Sequence, residues 1–152
     1  MKKIAVFLLF LAINFLGLYL GGLATGPGVQ SEWYQNLNQA PWTPPGFVFG
    51  IVWTLIGITW SVIGTHLYFN HKEELDAYFG GWLLNLVWNP FFFIFNKPIV
   101  SGIVIILLAL SVFYNIDFLR KSGKFNLSLW GYLYFFWLMI ATSLNWYIIF
   151  MN

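Results

Sequence analysis

The 152-residue chain is 60% hydrophobic, has mean hydropathy +0.75 and carries only 8% charged residues. A soluble domain of this size carries about a quarter, so an aqueous surface is excluded and a single domain facing lipid is left. The absence of cysteine excludes disulfides, thiolate metal sites and cysteine nucleophiles, and a net charge of +2 with no basic patch excludes nucleic acid as a partner.

Crossing the hydrocarbon core takes about 20 apolar residues, and five stretches qualify. The first, residues 4–24, has no charge and follows Lys2-Lys3. It is longer than the apolar run of a signal peptide and no A-x-A site follows, so it reads as the first membrane helix. Residues 25–45 then form the one long connection, rich in Gly, Pro, Asn, Gln and Trp. A loop of that length in a compact protein is functional or disordered, and Trp33, Tyr34 and Trp42 favour order. Within it, Ser31–Gln39 suits a short interfacial helix with Ser31 as its cap. In Ala40-Pro41-Trp42-Thr43-Pro44-Pro45-Gly46, three prolines within five residues restrict the backbone and forbid regular helix. They pin the start of the second span, residues 46–69, and hold Trp42 against it. That segment is either a stiff helix start with an interfacial Trp or a structured lid over the bundle.

The remaining spans are residues 77–95, 98–119 and 127–151. All five are continuously apolar rather than alternating, which selects helices over strands. The fold expected is an all-α membrane protein: a five-transmembrane-helix bundle with a long structured loop between helices 1 and 2. Five spans put Lys2, Lys3, Lys72, Arg120, Lys121 and Lys124 on one side and Lys97 alone on the other. The positive-inside rule then places the N-terminus in the cytoplasm and the long loop and C-terminus outside.

No ionisable residue sits mid-span, which argues against proton pumps and ion-coupled transport, and no hydrolytic triad or phosphate-binding loop is present. His66 and His71 with Glu73, Glu74 and Asp76 read as a solvated connection rather than a metal site, because no ligand spacing recurs. Amides carry the remaining polarity. Asn85 and Asn89 lie four apart and share one helix face, with Trp82 and Trp88 beside it. They are either interhelical hydrogen bonds, worth about 0.6 kcal/mol on average, or donors lining a ligand cavity. Trp137, Ala141, Leu144, Asn145 and Ile148 form one stripe of the last helix, and Trp53, Gly57, Trp60 and Gly64 one of the second. Such a face seats a neighbouring helix or holds a flat guest. Gly17-x-x-x-Gly21 and Gly46-x-x-x-Gly50 read as helix-packing motifs.

Taken in order, these segments resemble a known family. Trp42-Thr43-Pro44-Pro45 with Trp53-Thr54 resembles the signature of the TspO/MBR family, the tryptophan-rich sensory and translocator (peripheral-type benzodiazepine receptor) proteins. The segment Leu84-Asn85-Leu86-Val87-Trp88-Asn89-Pro90 resembles that family's asparagine–tryptophan motif. Tyr134-Phe135-Phe136-Trp137 through Ala141-Thr142-Ser143-Leu144-Asn145 resembles its closing motif, and Trp33-Tyr34 matches the aromatic pair of its first loop. The likeness spans nearly the whole chain.

The resemblance implies a pocket capped by the first loop that binds protoporphyrin IX, related tetrapyrroles and flat synthetic ligands. Carried over by motif, that pocket uses Tyr34, Trp42 and Pro44 from the lid, Trp53 from the second helix, and Asn85, Trp88 and Asn89 from the third. Trp137, Ala141 and Leu144 come from the fifth. It further implies a sensor or carrier that needs no cofactor beyond porphyrin as its ligand, has the lipid bilayer as its surroundings, and forms a homodimer through small residues such as Gly80, Gly81, Ser101 and Gly102. Two alternatives stand beside it. One is light- and oxygen-dependent porphyrin breakdown with Trp53 and Trp137 as reacting groups, since no general acid or base is at hand. The other is a structural or partner-regulating membrane protein whose aromatic stripes are only core. The family's sterol pattern in the last helix is incomplete here, because no basic residue follows Tyr147. A Leu110…Tyr114…Arg120 match in the fourth span is a weak pattern.

Overall fold

The structure, a computed structural model, describes residues 1–152 and is helical throughout. Helix α1 spans Lys2–Val29 and the four-residue α2 spans Glu32–Gln35. Helix α3 spans Gly46–Asn70 and leads through a 3-10 turn at Lys72–Glu74 into α4, Leu75–Asn89. A π-helical turn over Pro90–Ile94 prolongs α4, and α5 (Pro98–Lys121) and α6 (Phe125–Met151) complete the chain. Four of these helices, α1, α3, α5 and α6, are each long and apolar enough to cross a membrane.

The outward faces are what a lipid-facing bundle requires. Leu9, Leu16, Leu23, Phe47, Ile51, Ile103, Leu110 and Phe136 are all exposed, and water gives no reason for such a surface. Neighbours close into a ring: α1 packs on α3, α3 on α6, α6 on α5, α5 on α4 and α4 back on α1.

The boundaries depart from expectation in physically informative ways. Helix α1 runs to Val29, five residues past the expected end, through Pro27 in its last turn. The connection is therefore residues 30–45, and the short helix inside it is Glu32–Gln35 rather than Ser31–Gln39, with Ser31 as its cap as expected. The segment expected as the third span, residues 77–95, is not one regular helix. Proline cannot donate to the carbonyl four residues back, and its ring crowds that carbonyl. At Pro90 the chain widens into the π turn, closed by Phe95 N–H to the Pro90 carbonyl at 3.0 Å.

Close approach explains some glycines and not others. A Cβ on Gly17 would lie 2.7 Å from Trp82 Nε1, and one on Gly64 2.5 Å from the Phe10 ring. Gly46 and Gly50 have open space where a Cβ would go, so that motif packs no helix within the chain. Gly81, Ser101 and Gly102 are buried between helices of the same chain, which removes them from any outer face.

The apolar core is lopsided. Ile63, Leu67, Tyr78, Leu108, Val112, Ile116 and Leu119 are essentially inaccessible and belong to the half of the bundle away from the long connection. The buried positions of the other half are largely small or polar: Gly21, Ala24, Gly28, Asn89, Ser101, Gly102 and Asn145.

Candidate functional site

Four groupings build the interior, starting from the core side. The first is an amide–hydroxyl node. Asn14, 7% exposed on α1, donates from Nδ2 to the Phe10 carbonyl (2.9 Å), to Ser61 Oγ on α3 (3.0 Å) and to the Tyr78 hydroxyl on α4 (2.8 Å). An amide nitrogen has two hydrogens, so the three acceptors share them. Ser61 Oγ donates onward to the Gly57 carbonyl at 2.6 Å, and Tyr78 to the Trp60 carbonyl at 3.2 Å. Amide and hydroxyls thereby tie three helices together without a charge, as a low-dielectric interior demands.

Above the node the aromatic rings form a continuous ladder. Trp60 stacks on Tyr78 with centroids 5.9 Å apart and meets Tyr134 edge-on at 5.0 Å. Tyr134 meets Trp53 at 5.8 Å, Trp53 meets Trp137 at 6.5 Å, and Trp137 meets Phe49 at 5.1 Å, all edge to face. Each such pair adds about 0.5–1.5 kcal/mol beyond its buried area. Trp137 is 5% exposed, yet its Nε1 has no hydrogen-bond partner, and neither have Thr142 Oγ1 and Asn145 Oδ1 further along α6. Leaving a buried donor unmade costs about 1–3 kcal/mol.

The third grouping joins α4 to α1. Asn89 Oδ1 accepts from Thr25 Oγ1 at 2.8 Å, and Gly21 lies so close that a Cβ there would sit 2.8 Å from Asn89 Nδ2. Asn85 Oδ1 accepts instead from Trp88 Nε1 at 3.2 Å.

Residues 30–45 make a strap across the end of the bundle. At one end Ser31 Oγ accepts from Tyr34 N–H at 3.2 Å, and Trp33 and Tyr34 rest on Phe92 and Phe93 of the π turn at 5.4–6.3 Å. Burial there pushes the Tyr34 phenol above its ordinary pKa of 10, so it stays neutral. At the other end Trp42 Nε1 donates to Ser143 Oγ at 3.1 Å, with its ring edge-on to Tyr147. Asn38 clasps the end of α6: its N–H donates to Asn152 Oδ1 at 2.9 Å and its Nδ2 to the Met151 carbonyl at 3.1 Å. The proline segment is thus fixed to α6 through Trp42 as well as to the start of α3.

The expected site residues thus fall into separate groups. Trp53 and Trp137 meet between α3 and α6, with Ala141 packed on the same core and Leu144 half-buried beyond it. Asn89 turns to α1 and Tyr34 to the π turn, while Trp42 is 53% exposed at the outer seam and Pro44 is half-buried at the foot of α3. Asn85 and Trp88 pair with each other. A narrow gap among α1, α3, α4, α5 and α6 has Asn14, Trp60, Asn85, Val112 and Tyr134 among its walls. Including its mouth it holds about 370 Å³ of space between atoms, but its width admits about one water molecule. Sequence reasoning passed over Asn14, Thr25, Phe49 and Tyr78. For Asn14 the signal was there, an amide mid-span among apolar residues; for the others only the fold selects them.

The family model described as the TspO/MBR family matches residues 8–151. The chain is 31% identical over 156 residues to the tryptophan-rich protein TspO of Archaeoglobus fulgidus, covering 100% of this chain and 97% of that one. It is 27% identical over 157 residues to the tryptophan-rich protein TspO of Bacillus cereus, covering 100% and 99%. It is 33% identical over 94 residues to the translocator protein of Bos taurus, covering 55% and 53%.

Proposed function

The chain belongs to the TspO/MBR family, and we propose that it binds tetrapyrroles and similarly flat, apolar molecules beneath the strap, acting as a membrane sensor or carrier. One observation carries the reading: the Trp137 indole N–H is buried without an acceptor at the foot of a half-bundle built from small residues and amides. A guest that offered an acceptor there would remove a standing penalty, and the faces of Trp53 and Trp137 suit a macrocycle plane. The rings pack edge to face, so admission requires the strap and the α3–α6 seam to part. Propionate groups belong at the wet strap edge, since no mid-span cation is available to pair with them.

The same reading makes the protein a five-span bundle. Helix α4 and its π turn together run over residues 75–94, about 30 Å at 1.5 Å per residue, enough to span. It places Lys2, Lys3, Lys72, Arg120, Lys121 and Lys124 on the cytoplasmic side and the strap outside. Titrating protoporphyrin IX into the detergent-solubilised protein tests the binding: saturable quenching of Trp emission is expected. Quenching that rises linearly with porphyrin, as with free indole, refutes it.

Porphyrin breakdown is a second reading, favoured by the direct contact of Trp53 with Trp137. Illumination of the complex in air distinguishes it: the porphyrin spectrum must bleach faster bound than free.

A further inference from the structure

The gap among α1, α3, α4, α5 and α6 has no strap residue in its walls; it begins about one helical turn below Trp53, at Ile56 and Gly57, and its wall chemistry is specific. Asn14, 7% exposed, commits its Nδ2 to three acceptors, and no donor serves its Oδ1. Asn85 has the complementary pattern: its Oδ1 accepts from Trp88, and its Nδ2 donates to no group. The hydroxyl of Tyr134, a residue 3% exposed, makes no hydrogen bond, while its ring is wedged between Trp53 and Trp60. One wall therefore offers an acceptor, one a donor and one either. The remaining walls are apolar, Leu18, Ile56 and Val112 among them. No acid or base lines the space, so a guest there is neutral. Its room matches a single water, and a buried water characteristically makes two to four hydrogen bonds to otherwise unserved polar groups.

We propose that this gap is a hydration site, where one water molecule donates to Asn14 Oδ1, accepts from Asn85 Nδ2 and takes the Tyr134 hydroxyl as its third partner. The site binds α1, α4 and α6 through one shared molecule. It assigns Asn85 to the interior network rather than to a macrocycle, and it stands whether or not the protein binds tetrapyrroles.

The test is water–protein NMR on the folded protein in nanodiscs, with asparagine side chains labelled and no porphyrin added. The Asn85 amide, which contacts no hydroxyl, is expected to show a water cross-peak at short mixing time. Asn145, whose Nδ2 donates to the Ser101 hydroxyl away from the gap, serves as the reference: any cross-peak it shows is relayed by hydroxyl exchange and grows in only at long mixing time. In Tyr134→Phe the Asn85 cross-peak must persist, which separates bound water from proton exchange through the tyrosine hydroxyl. In Val112→Ile one added methyl group occupies the gap, and the cross-peak is expected to disappear while the Asn145 resonance stays in place. Absence of the cross-peak in the parent protein, its loss in Tyr134→Phe, or its survival in Val112→Ile each overturns the assignment. Adding protoporphyrin to the parent must leave the cross-peak, so a failure of tetrapyrrole binding and a failure of this site remain distinguishable.

Discussion

Replacing Trp137 by Phe separates a ligand-directed indole from a merely structural one. The substitution keeps an aromatic ring against Phe49 and Trp53, whose centroids lie 5.1 and 6.5 Å away. It removes two things, the outer ring of the indole and the N–H that has no acceptor. Trimming a buried ring is a large-to-small change, intermediate between the losses seen for one methyl group and for a whole aromatic, so about 1–2 kcal/mol. Deleting an unsatisfied buried donor returns about 1–3 kcal/mol. The two offset, and thermal unfolding in detergent should place Trp137→Phe within about 1 kcal/mol of the parent. Porphyrin binding should respond differently, because the guest loses the hydrogen bond that relieved the N–H. At about 0.5–1.5 kcal/mol, that is a dissociation constant roughly two- to thirteen-fold higher by fluorescence titration. A stability loss above about 3 kcal/mol with unchanged affinity would refute the reasoning, since Trp137 would then be core and nothing more.

Four further outcomes follow from the packing. Gly64→Ala puts a methyl 2.5 Å from the Phe10 ring and should cost about 1–3 kcal/mol by overpacking. Gly22→Ala meets open space and should be neutral or gain up to about 1 kcal/mol of helix propensity, both read by thermal unfolding. Asn14→Leu strips the amide from a node whose two hydroxyls keep their own carbonyl partners. At about 0.6 kcal/mol per interhelical bond in a membrane protein, the two such bonds predict a loss near 1 kcal/mol in an unfolding titration. A loss of several kcal/mol would mean the node is cooperative. Asn38→Ala weakens the hold of α6 on the strap: it removes one side-chain hydrogen bond of about 0.5–1.5 kcal/mol and leaves the backbone bond to Asn152. Limited proteolysis within residues 36–45 should accelerate severalfold while the melting temperature hardly moves; unchanged cleavage would show that the Trp42–Ser143 contact and the backbone bond to Asn152 suffice to hold the strap.

Much of this was legible in the chain because a bilayer imposes one-dimensional rules. Apolar runs of about 20 residues must be helices, since every backbone amide has to be paired inside its own segment. The three prolines before Gly46 pin the start of α3, and Ser31 caps α2, because both effects act within one turn. The order of the Trp-, Asn- and Pro-containing segments was enough to point to the family.

What the tertiary structure alone decided is which side chains share a space. Asn85 and Asn89 are four apart on one helix, yet the first faces the inner gap and the second faces Thr25 across α1. Their neighbours come from different helices, and a helical period specifies a face but not what stands opposite it. The identical limit hid Asn14, whose three acceptors lie 4, 47 and 64 residues away along the chain. It also made Gly46-x-x-x-Gly50 look like a packing motif, although that face of α3 meets no other helix. Spacing along one helix is local, whereas pairing a buried donor with an acceptor is a property of the ring of helices as a whole.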